Sequence, residues 1–474
     1  IPDTVTKIGE LAFSNTSSLT DIVIPDSVTE IGKATFFGAS SIARIRLPFV
    51  GASRAATGNK AYFGYIFGDT SYQGGYLANG YIIPESLKEV IITDIKLIGE
   101  KAFSGASSLT SLILPNDVTN IGAYAFEGAS GLENIEIPKN IKVIGDFAYF
   151  GLWNLTSIII PEGVMSIGES AFSGARSVTS IVIPDTVTHI GAFAFSGVRS
   201  LKSVEIPNSV YYIGSSAFSG TSQLQKITLP FIGYSRNAIN SEAQFGFIFG
   251  VDSYTGAYKA DDFNLPISLN EIIITDANNI GARGFYDARY LTKIEIASSV
   301  TSIGTHAFCK ASNLTAVIFE ENSHLTTIGD FAFSNAVSLT SIYIPKGVLE
   351  IGSFAFNNAT SLGTVVFETG SQLTTIREHA FYSATSLKRI VIPNNVRGIG
   401  SFAFSNDSNL ISIIIPDTVI NIGVSVFVNA NNLSIYSESS AEPAGWDPLW
   451  NYSDRPVYWA SEWHYDTNGN PIPN

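Results

Sequence analysis

The chain has 474 residues, of which 45% are hydrophobic and 14% charged, and this composition excludes a disordered protein. A net charge of −14 without a basic cluster argues against nucleic acid and anionic membrane surfaces as partners. The single cysteine, Cys309, excludes a disulfide framework, and the apolar runs are too short for membrane insertion by a helix.

A repeat of mostly 23 residues, marked by the dipeptide Ile-Gly as at Ile8 and Ile31, extends over residues 1–432. Five residues after each Ile stands an aromatic residue such as Phe13, and a Leu-x-x-Ile-x-Ile-Pro run such as 201–207 follows. The alternating apolar positions predict a strand with one buried face, which the proline ends. The segment Gly-x-x-Ala-Phe predicts a single helical turn that directs the aromatic ring inward.

One repeat cannot bury its own apolar edge, whereas stacked repeats can. We therefore predict a right-handed solenoid with a parallel β-sheet on its concave face, and with short helical turns and extended segments on the other faces. The aromatic residues should form a ladder inside it. The array starts within a repeat, at Ile1, so we expect further chain upstream in the native protein.

Two long units, at about 48–92 and 230–274, interrupt the repeat and match each other at a constant offset of 182 residues. This offset indicates an internal duplication, and strand patterns on both sides predict that the sheet continues through each long unit. Their aromatic residues either pack the extra chain onto the solenoid or project as a binding patch. The candidates for the binding patch are Arg54, Tyr72, Tyr76, Arg236, Tyr254 and Tyr258.

The residue between the last two apolar positions of each strand should point outward, and these residues are mostly β-branched or aliphatic. Either neighbouring strands pack these side chains together, or they form an apolar strip for a partner. Such a strip with adjacent Ser and Thr residues suits an extended peptide or a protein better than a sugar. Its one aromatic member, Tyr343, is a further candidate ligand-binding residue.

The chain departs from the repeat near its C-terminus, where four of the five tryptophans lie. Because an open solenoid end must be covered, we predict a cap at 433–460 and a tail at 461–474. The sequence from Asp466 to Asn470 resembles a calcium loop but lacks its later acidic ligands, and so favours a plain turn.

No catalytic motif is found in the chain. His306 and His379 share a position in the repeat, but three repeats separate them by roughly 15 Å, too far to hold one metal ion. The sequence therefore predicts neither an enzyme nor a bound cofactor or metal.

The repeat LxxIxIPxxVxxIGxxAFxxAxxL resembles the BspA-like, Treponema-type leucine-rich repeat of bacterial surface proteins. Ala106, Ala129 and Ala175 stand where members of that family usually carry cysteine. The resemblance implies a leucine-rich-repeat solenoid at the cell surface or secreted. Its expected partner is a protein, of the host extracellular matrix or of another cell surface, bound in recognition or adhesion. A structural spacer that displays another domain, or a glycan-binding module that uses the aromatic loops, remains the alternative.

Overall fold

The computed structural model describes all 474 residues, and their contacts form two compact units. Unit 1 comprises Ile1–Leu224 with Ile248–Ala257, and unit 2 comprises Gln225–Phe247 with Tyr258–Asn474. In both units the repeats build a parallel β-solenoid, which confirms the predicted fold class. The chain contains no helix with the length and apolar character needed to cross a bilayer.

The Leu-x-x-Ile-x-Ile segments form a ladder of strands, mostly of three or four residues, which we call the long ladder. Neighbouring strands pair in parallel and in register, so that Ile158 lies beside Ile181. In unit 1 the strands are Asp21–Val23, Arg44–Leu47, Glu89–Ile92, Ser111–Ile113, Ser157–Ile159, Ser180–Val182 and Ser203–Glu205. In unit 2 they are Lys226–Leu229, Glu271–Ile274, Lys293–Ile296, Ala316–Phe319, Ser341–Ile344, Thr364–Phe367, Arg389–Val391, Ser412–Ile415, Ser434–Ser437 and Val457–Tyr458.

A second ladder, which the sequence reading did not predict, is formed by the Ile of each Ile-Gly pair together with the residue before it. In this short ladder the Ile is buried and the preceding side chain faces outward. In unit 1 its strands are Lys7–Ile8, Glu30–Ile31, Leu97–Ile98, Asn120–Ile121, Val143–Ile144, Ser166–Ile167, His189–Ile190 and Tyr212–Ile213. In unit 2 they are Asn279–Ile280, Ser302–Ile303, Thr327–Ile328, Glu350–Ile351, Thr375–Ile376, Gly398–Ile399 and Asn421–Ile422.

The segment Gly-x-x-Ala-Phe is a turn, and the expectation of a helical turn there is wrong. The third residue after each Ile has a left-handed backbone, with φ of 58° at Leu11, 55° at Lys101 and 56° at Phe354. A right-handed helix cannot contain such a residue. Because of this conformation, alternate N–H groups of the turn face the next repeat. The N–H of Phe103, for example, donates to the carbonyl of Ala125 at 2.7 Å.

The aromatic rings stack along the interior as predicted. In unit 1 the centroids from Phe103 to Phe218 are separated by 5.0 to 5.7 Å, and in unit 2 those from Phe285 to Phe427 by 5.0 to 6.0 Å. Buried rings in offset or tilted contact add to the free energy of apolar burial. Each repeat is therefore held to its neighbours by both backbone hydrogen bonds and ring contacts.

The first long unit keeps both the sheet and the ring stack continuous. Strand Arg44–Leu47 pairs directly with Glu89–Ile92 across it, as expected for a sheet that continues. Phe67 lies 6.0 Å from the ring of Phe36, and Phe63 lies 5.4 Å from Phe67 and 5.2 Å from Phe103. The shared FG-aromatic-IFG sequence thus supplies the rings that bridge the interruption.

The long units also contain the helical residues of the chain, all in short 3-10 turns. The first holds the turns Gly58–Ala61 and Phe63–Ile66 and the antiparallel strands Gly75–Ala78 and Tyr81–Pro84. The second long unit has elements at the corresponding positions: Asn240–Ala243, Phe245–Ile248, Ala257–Ala260 and Phe263–Pro266.

The long ladder is interrupted at several places. In unit 2 the pairing stops after Ala316–Phe319 and after Thr364–Phe367, the strands that precede the loops of the two 25-residue repeats. In unit 1 residues 134–137 occupy a strand position without forming a strand, and the pairing also stops after Ser180–Val182, where the repeat has its regular length. Clefts open at two of these interruptions, beside residues 134–137 and after Thr364–Phe367.

The segment predicted to be a cap extends the long ladder with strands Ser434–Ser437 and Val457–Tyr458. Trp450 packs against Phe427, the last ring of the stack, at 6.0 Å, and the Nε1 of buried Trp446 donates to the carbonyl of Val419. The predicted tail forms an antiparallel hairpin of Trp463–Tyr465 and Pro471–Pro473. The boundaries of cap and tail stay predictions.

The ring stack contains one tyrosine, Tyr149, whose fully buried hydroxyl has no hydrogen-bond partner. We expect Tyr149→Phe to raise the stability by about 1–2 kcal/mol, because it removes an unsatisfied polar group and keeps the ring. Phe172→Ala is the matched control, and should cost about 3–5 kcal/mol through the cavity it leaves. Urea unfolding followed by circular dichroism measures both, and a destabilised Tyr149→Phe variant would contradict the expectation.

Asp407 is a buried carboxyl group at a repeat position that is alanine in the neighbouring repeats, as at Ala384. One of its oxygens accepts the N–H of Ala384 at 2.8 Å, and the other has no partner. Burial raises the pKa of Asp407 well above its ordinary value. The folded state therefore binds a proton more readily than the unfolded state, and stability falls as the pH rises through the folded-state pKa.

We expect Asp407→Ala to raise the melting temperature more at pH 8 than at pH 4. At pH 8 the wild type must either bury a charged carboxylate or bind a proton on folding, and alanine removes this free-energy cost. Thermal unfolding of the variant and the wild type at both pH values measures the difference. Asp185→Ala, at an exposed carboxylate, is the control. An equal effect of Asp407→Ala at the two pH values would contradict the expectation.

Candidate functional site

The two candidate arginines are held within their own compact units. The guanidinium of Arg54 lies 2.7 Å from the carboxylate of Asp94 and 5.2 Å from the ring centre of Phe49. It also donates to two backbone carbonyls at 3.0 and 3.1 Å. Arg236 pairs with Asp276 in the same way. Both side chains fasten the beginning of a long unit to the chain that follows it.

The tyrosines of the first long unit also contact their own chain. The hydroxyl of Tyr76 lies 3.1 Å from the Oγ of Ser108 and accepts the N–H of the same residue at 3.1 Å. Tyr72 packs edge to face against Phe37 at 5.5 Å, and burial raises the pKa of its hydroxyl. The structure therefore brings both half-buried rings against the solenoid.

The tyrosines of the second long unit are half-buried too. Tyr258 lies 4.9 Å from the ring of Tyr290, with the guanidinium of Arg289 at 5.3 Å from its ring centre. Burial is the main cause that raises the pKa of Tyr258. Ligand binding by these residues, and by Tyr254, stays a prediction.

The outward-facing residues of the long ladder form their longest uncharged apolar run in unit 2. This apolar strip consists of Ile318, Tyr343, Val366, Val391, Ile414 and Tyr436, one residue from each of six successive strands. The first four side chains are 44%, 44%, 45% and 57% exposed. Elsewhere in the ladder charged residues interrupt the run, at Glu136, Glu205 and Glu295.

Tyr343 lies in the exposed part of the strip. Partial burial and the nearby negative charge of Glu368 raise the pKa of Tyr343. Glu368 accepts the backbone N–H of Lys346 at 2.8 Å. The aromatic residue predicted from the sequence thus lies near a carboxylate of a 25-residue repeat.

The C-terminal hairpin covers the other end of the strip. Ile414 and Tyr436 are only 4% and 6% exposed, although they occupy the same outward position as Val391. The indole Nε1 of Trp463 donates to the carbonyl of Ser437 at 3.0 Å, and its ring packs edge to face on Tyr436 at 5.6 Å. The tail therefore buries an aromatic residue on the strip.

The hairpin lies at the C-terminal end of the strip. Asp466, the first residue of its turn, has a lowered pKa, mainly through hydrogen bonds from Asn470 and in smallest part through the positive charge of Arg389. Strand Arg389–Val391 lies two strands before Ser434–Ser437, the strand that Trp463 contacts.

A cleft opens where the pairing between Thr364–Phe367 and Arg389–Val391 is interrupted. Its volume is about 530 Å³, and Val366 and Val391 contribute to its walls. Glu368 and Arg389 also line the cleft and bring opposite charges to it. Arg389 is exposed and forms no ion pair within the chain, so its charge is available to a partner.

A second cleft lies in unit 1, beside residues 134–137, which form no strand. Its volume is about 580 Å³, and Ile159 lines it together with Glu136, Lys139 and Glu162. Here the outward-facing row is interrupted by the charge of Glu136. This cleft therefore has a similar size but no continuous apolar surface leading to it.

A further stack of rings lies on the surface of the turns in unit 2. It contains His306, Phe331, Phe354, His379 and Phe402, with centroids separated by 4.4 to 5.0 Å. Burial is the main cause that lowers the pKa of both imidazoles. Their rings are sandwiched by their neighbours, and no three His, Cys, Asp or Glu side chains are grouped to hold a metal ion.

The sequence predicts the outward row but not the features that distinguish its two ends. Arg389 and Glu368 become significant only because a cleft in the sheet lies between them. Trp463 falls in the predicted tail, and nothing in its spacing shows that it lies on the sheet. The absence of charged residues in the outward-facing row after Glu295 is the feature of the sequence that indicates the apolar strip.

Comparisons with known proteins agree with this architecture. The family model described as BspA type leucine rich repeat region, with six copies, matches residues 1–62, 83–192, 167–243, 259–360 and 322–434. A comparison with curated proteins found no match.

Several solved structures are similar. A leucine-rich repeat protein from Bacteroides ovatus is 22% identical over 87% of this chain and 83% of its own, with a TM-score of 0.39. A leucine rich cell surface protein from Faecalibacterium prausnitzii is 24% identical over 94% of this chain and 85% of its own, with a TM-score of 0.25. A leucine-rich repeat protein of T. pallidum is 24% identical over 42% of this chain and 72% of its own, with a TM-score of 0.26. The family model covers well over half of the sequence, and the chain therefore belongs to the BspA-type leucine-rich repeat family.

Proposed function

We propose that this chain is a non-enzymatic cell-surface or secreted protein that recognises or adheres to another protein through the apolar strip. The observation that carries the proposal is the series of four exposed apolar side chains, Ile318, Tyr343, Val366 and Val391, on successive strands. Contiguous apolar surface on a folded protein costs free energy in water and is typical of binding sites. A partner of the host extracellular matrix or of another cell surface is the proposed ligand.

The surroundings of the strip favour a protein over a sugar. Outward-facing hydroxyl groups of Ser341 and Thr364 lie beside the apolar row and suit hydrogen bonds to a polypeptide. Glycan sites rely on exposed aromatic rings, and the exposed part of the strip has one, Tyr343. Proteins of this family are typically surface proteins involved in protein interaction, which supports the proposed location and role.

The long units serve less well as the main binding surface. Their candidate arginines and tyrosines contact the chain itself, and Phe63 and Phe67 belong to the ring stack. Deletion of a long unit would therefore damage the solenoid as well as any binding site. Single substitutions at exposed positions are the better test, and Leu77, 70% exposed in the first long unit, is suitable.

We expect the double variant Val366→Asp with Val391→Asp to lose binding to a protein ligand, because two carboxylates would have to be desolvated in the interface. The loss should be on the order of 30-fold or more in Kd. The measurement is surface binding of the intact chain and its variants to a panel of extracellular-matrix proteins and host glycans. Circular dichroism confirms that each variant is folded.

Leu77→Asp in the first long unit and Val182→Asp in unit 1 are the controls, and both should bind like the wild type. Val182 matches Val391 in type, strand position and exposure. Binding that survives the double variant but is lost in Leu77→Asp would place the ligand on the long unit and overturn the proposal. Binding abolished by free sugars, or a panel without any bound protein, would also contradict it.

A further inference from the structure

The chain already binds one polypeptide segment on the apolar strip, namely its own C-terminal hairpin. Trp463 packs on Tyr436 and donates to the carbonyl of Ser437. Tyr436 and its neighbour Ile414 are buried, and the four strip residues beyond them are exposed. The exposed part is therefore the continuation of an interface that exists within the chain.

The chemistry of the hairpin shows what the surface accepts. An aromatic ring packs on the outward-facing Tyr436, an indole N–H donates to a strand carbonyl, and the carboxylate of Asp466 is influenced by the positive charge of Arg389. Groups that can make the same kinds of contact are present on the exposed part of the strip. Tyr343, Val366 and Val391 provide apolar surface, the cleft of about 530 Å³ is large enough for an aromatic side chain, and Arg389 lines it.

The electrostatics favour an acidic residue in the partner. Arg389 is exposed and has no ion pair within the chain, and its positive charge contributes in small part to the lowered pKa of Asp466 in the hairpin. Glu368 lines the same cleft and is engaged by the backbone N–H of Lys346. A carboxylate of a partner would therefore approach the cleft from the side of Arg389.

We propose that the apolar strip binds an extended protein segment of aromatic and acidic character, and that the C-terminal hairpin occupies the last third of this site as an internal ligand. The inference rests on the proposed function and adds the kind of partner. The partner segment lies along the strip over successive strands, with aromatic residues on the strip and a carboxylate at Arg389. Displacement of the hairpin lengthens the available strip from four side chains to six.

The test uses a fluorescent peptide with the sequence of residues 459–474, titrated into the intact chain and followed by anisotropy. We expect saturable binding to the wild type, and binding tighter by about threefold or more to Trp463→Ala, in which Ile414 and Tyr436 become accessible. Val391→Asp and Arg389→Ala should each weaken binding by about fivefold or more, since one removes apolar contact and the other the cation.

Two controls make the result specific. Val182→Asp in unit 1 should bind the peptide like the wild type, and a peptide that carries alanine in place of Trp459, Trp463 and Tyr465 should not bind. A peptide with Asp466→Asn should lose affinity for the wild type but not for Arg389→Ala. Absence of saturable binding to both wild type and Trp463→Ala, or binding unaffected by Val391→Asp, overturns the inference.

The outcome is separable from that of the proposed function. If a matrix protein binds through Val366 and Val391 but the peptide does not bind, the strip is a binding site and the aromatic, acidic partner is wrong. If the peptide binds through Val391 and Arg389 but no matrix protein does, the partner chemistry holds and the role in matrix recognition is wrong.

Discussion

The hydrogen bonds between the backbones of successive repeats are the constraint on which this structure depends. Turns within each repeat satisfy some backbone groups through bonds between residues three apart, and many other buried N–H and carbonyl groups find partners one repeat away. The long ladder, the short ladder and the turns each supply such bonds, for example between Phe103 and Ala125. The solenoid therefore requires every repeat to keep the same path as its neighbour, and this requirement explains why so few residue types recur at each position.

The same constraint determines where binding surface appears. The strand side chains that point into the core pack around the ring stack. Among the strand positions, the residue type can therefore vary freely only in the outward-facing row. Charged residues such as Glu136, Glu205 and Glu295 interrupt that row at intervals, whereas the row from Ile318 onward has none. The interruption after Thr364–Phe367 then converts a flat sheet into a surface with a cleft, and places Arg389 beside it. Binding by the strip would thus depend on a rigid scaffold and a local break in its regularity.

The sequence was sufficient to predict the solenoid, the inward ring stack and the continuity of the sheet through the long units, because each depends on a periodic pattern of apolar residues. It was not sufficient for the short ladder, in which one buried Ile per repeat leaves no alternation to detect. The helical turn was predicted wrongly because Gly-x-x-Ala-Phe is compatible with helix, whereas residues such as Leu11 and Phe354 take a left-handed backbone. The hydrogen bonds to the next repeat impose that backbone conformation, and the conformational preferences of the local sequence give no information about those bonds. The position of the hairpin on the strip could not be predicted from the sequence either, because contacts between a tail and a distant sheet face depend on the path of the whole chain.

The two 25-residue repeats have a broader consequence. When contacts connect only adjacent repeats, a gene can gain or lose a whole 23-residue segment and alter no more than the two junctions around it. An insertion of two residues is different, because it shifts one loop against the next and separates two strands. In such an array, duplication of whole repeats enlarges the surface. Insertions of one or two residues change its local shape, so that a small change in the gene can create a new cleft.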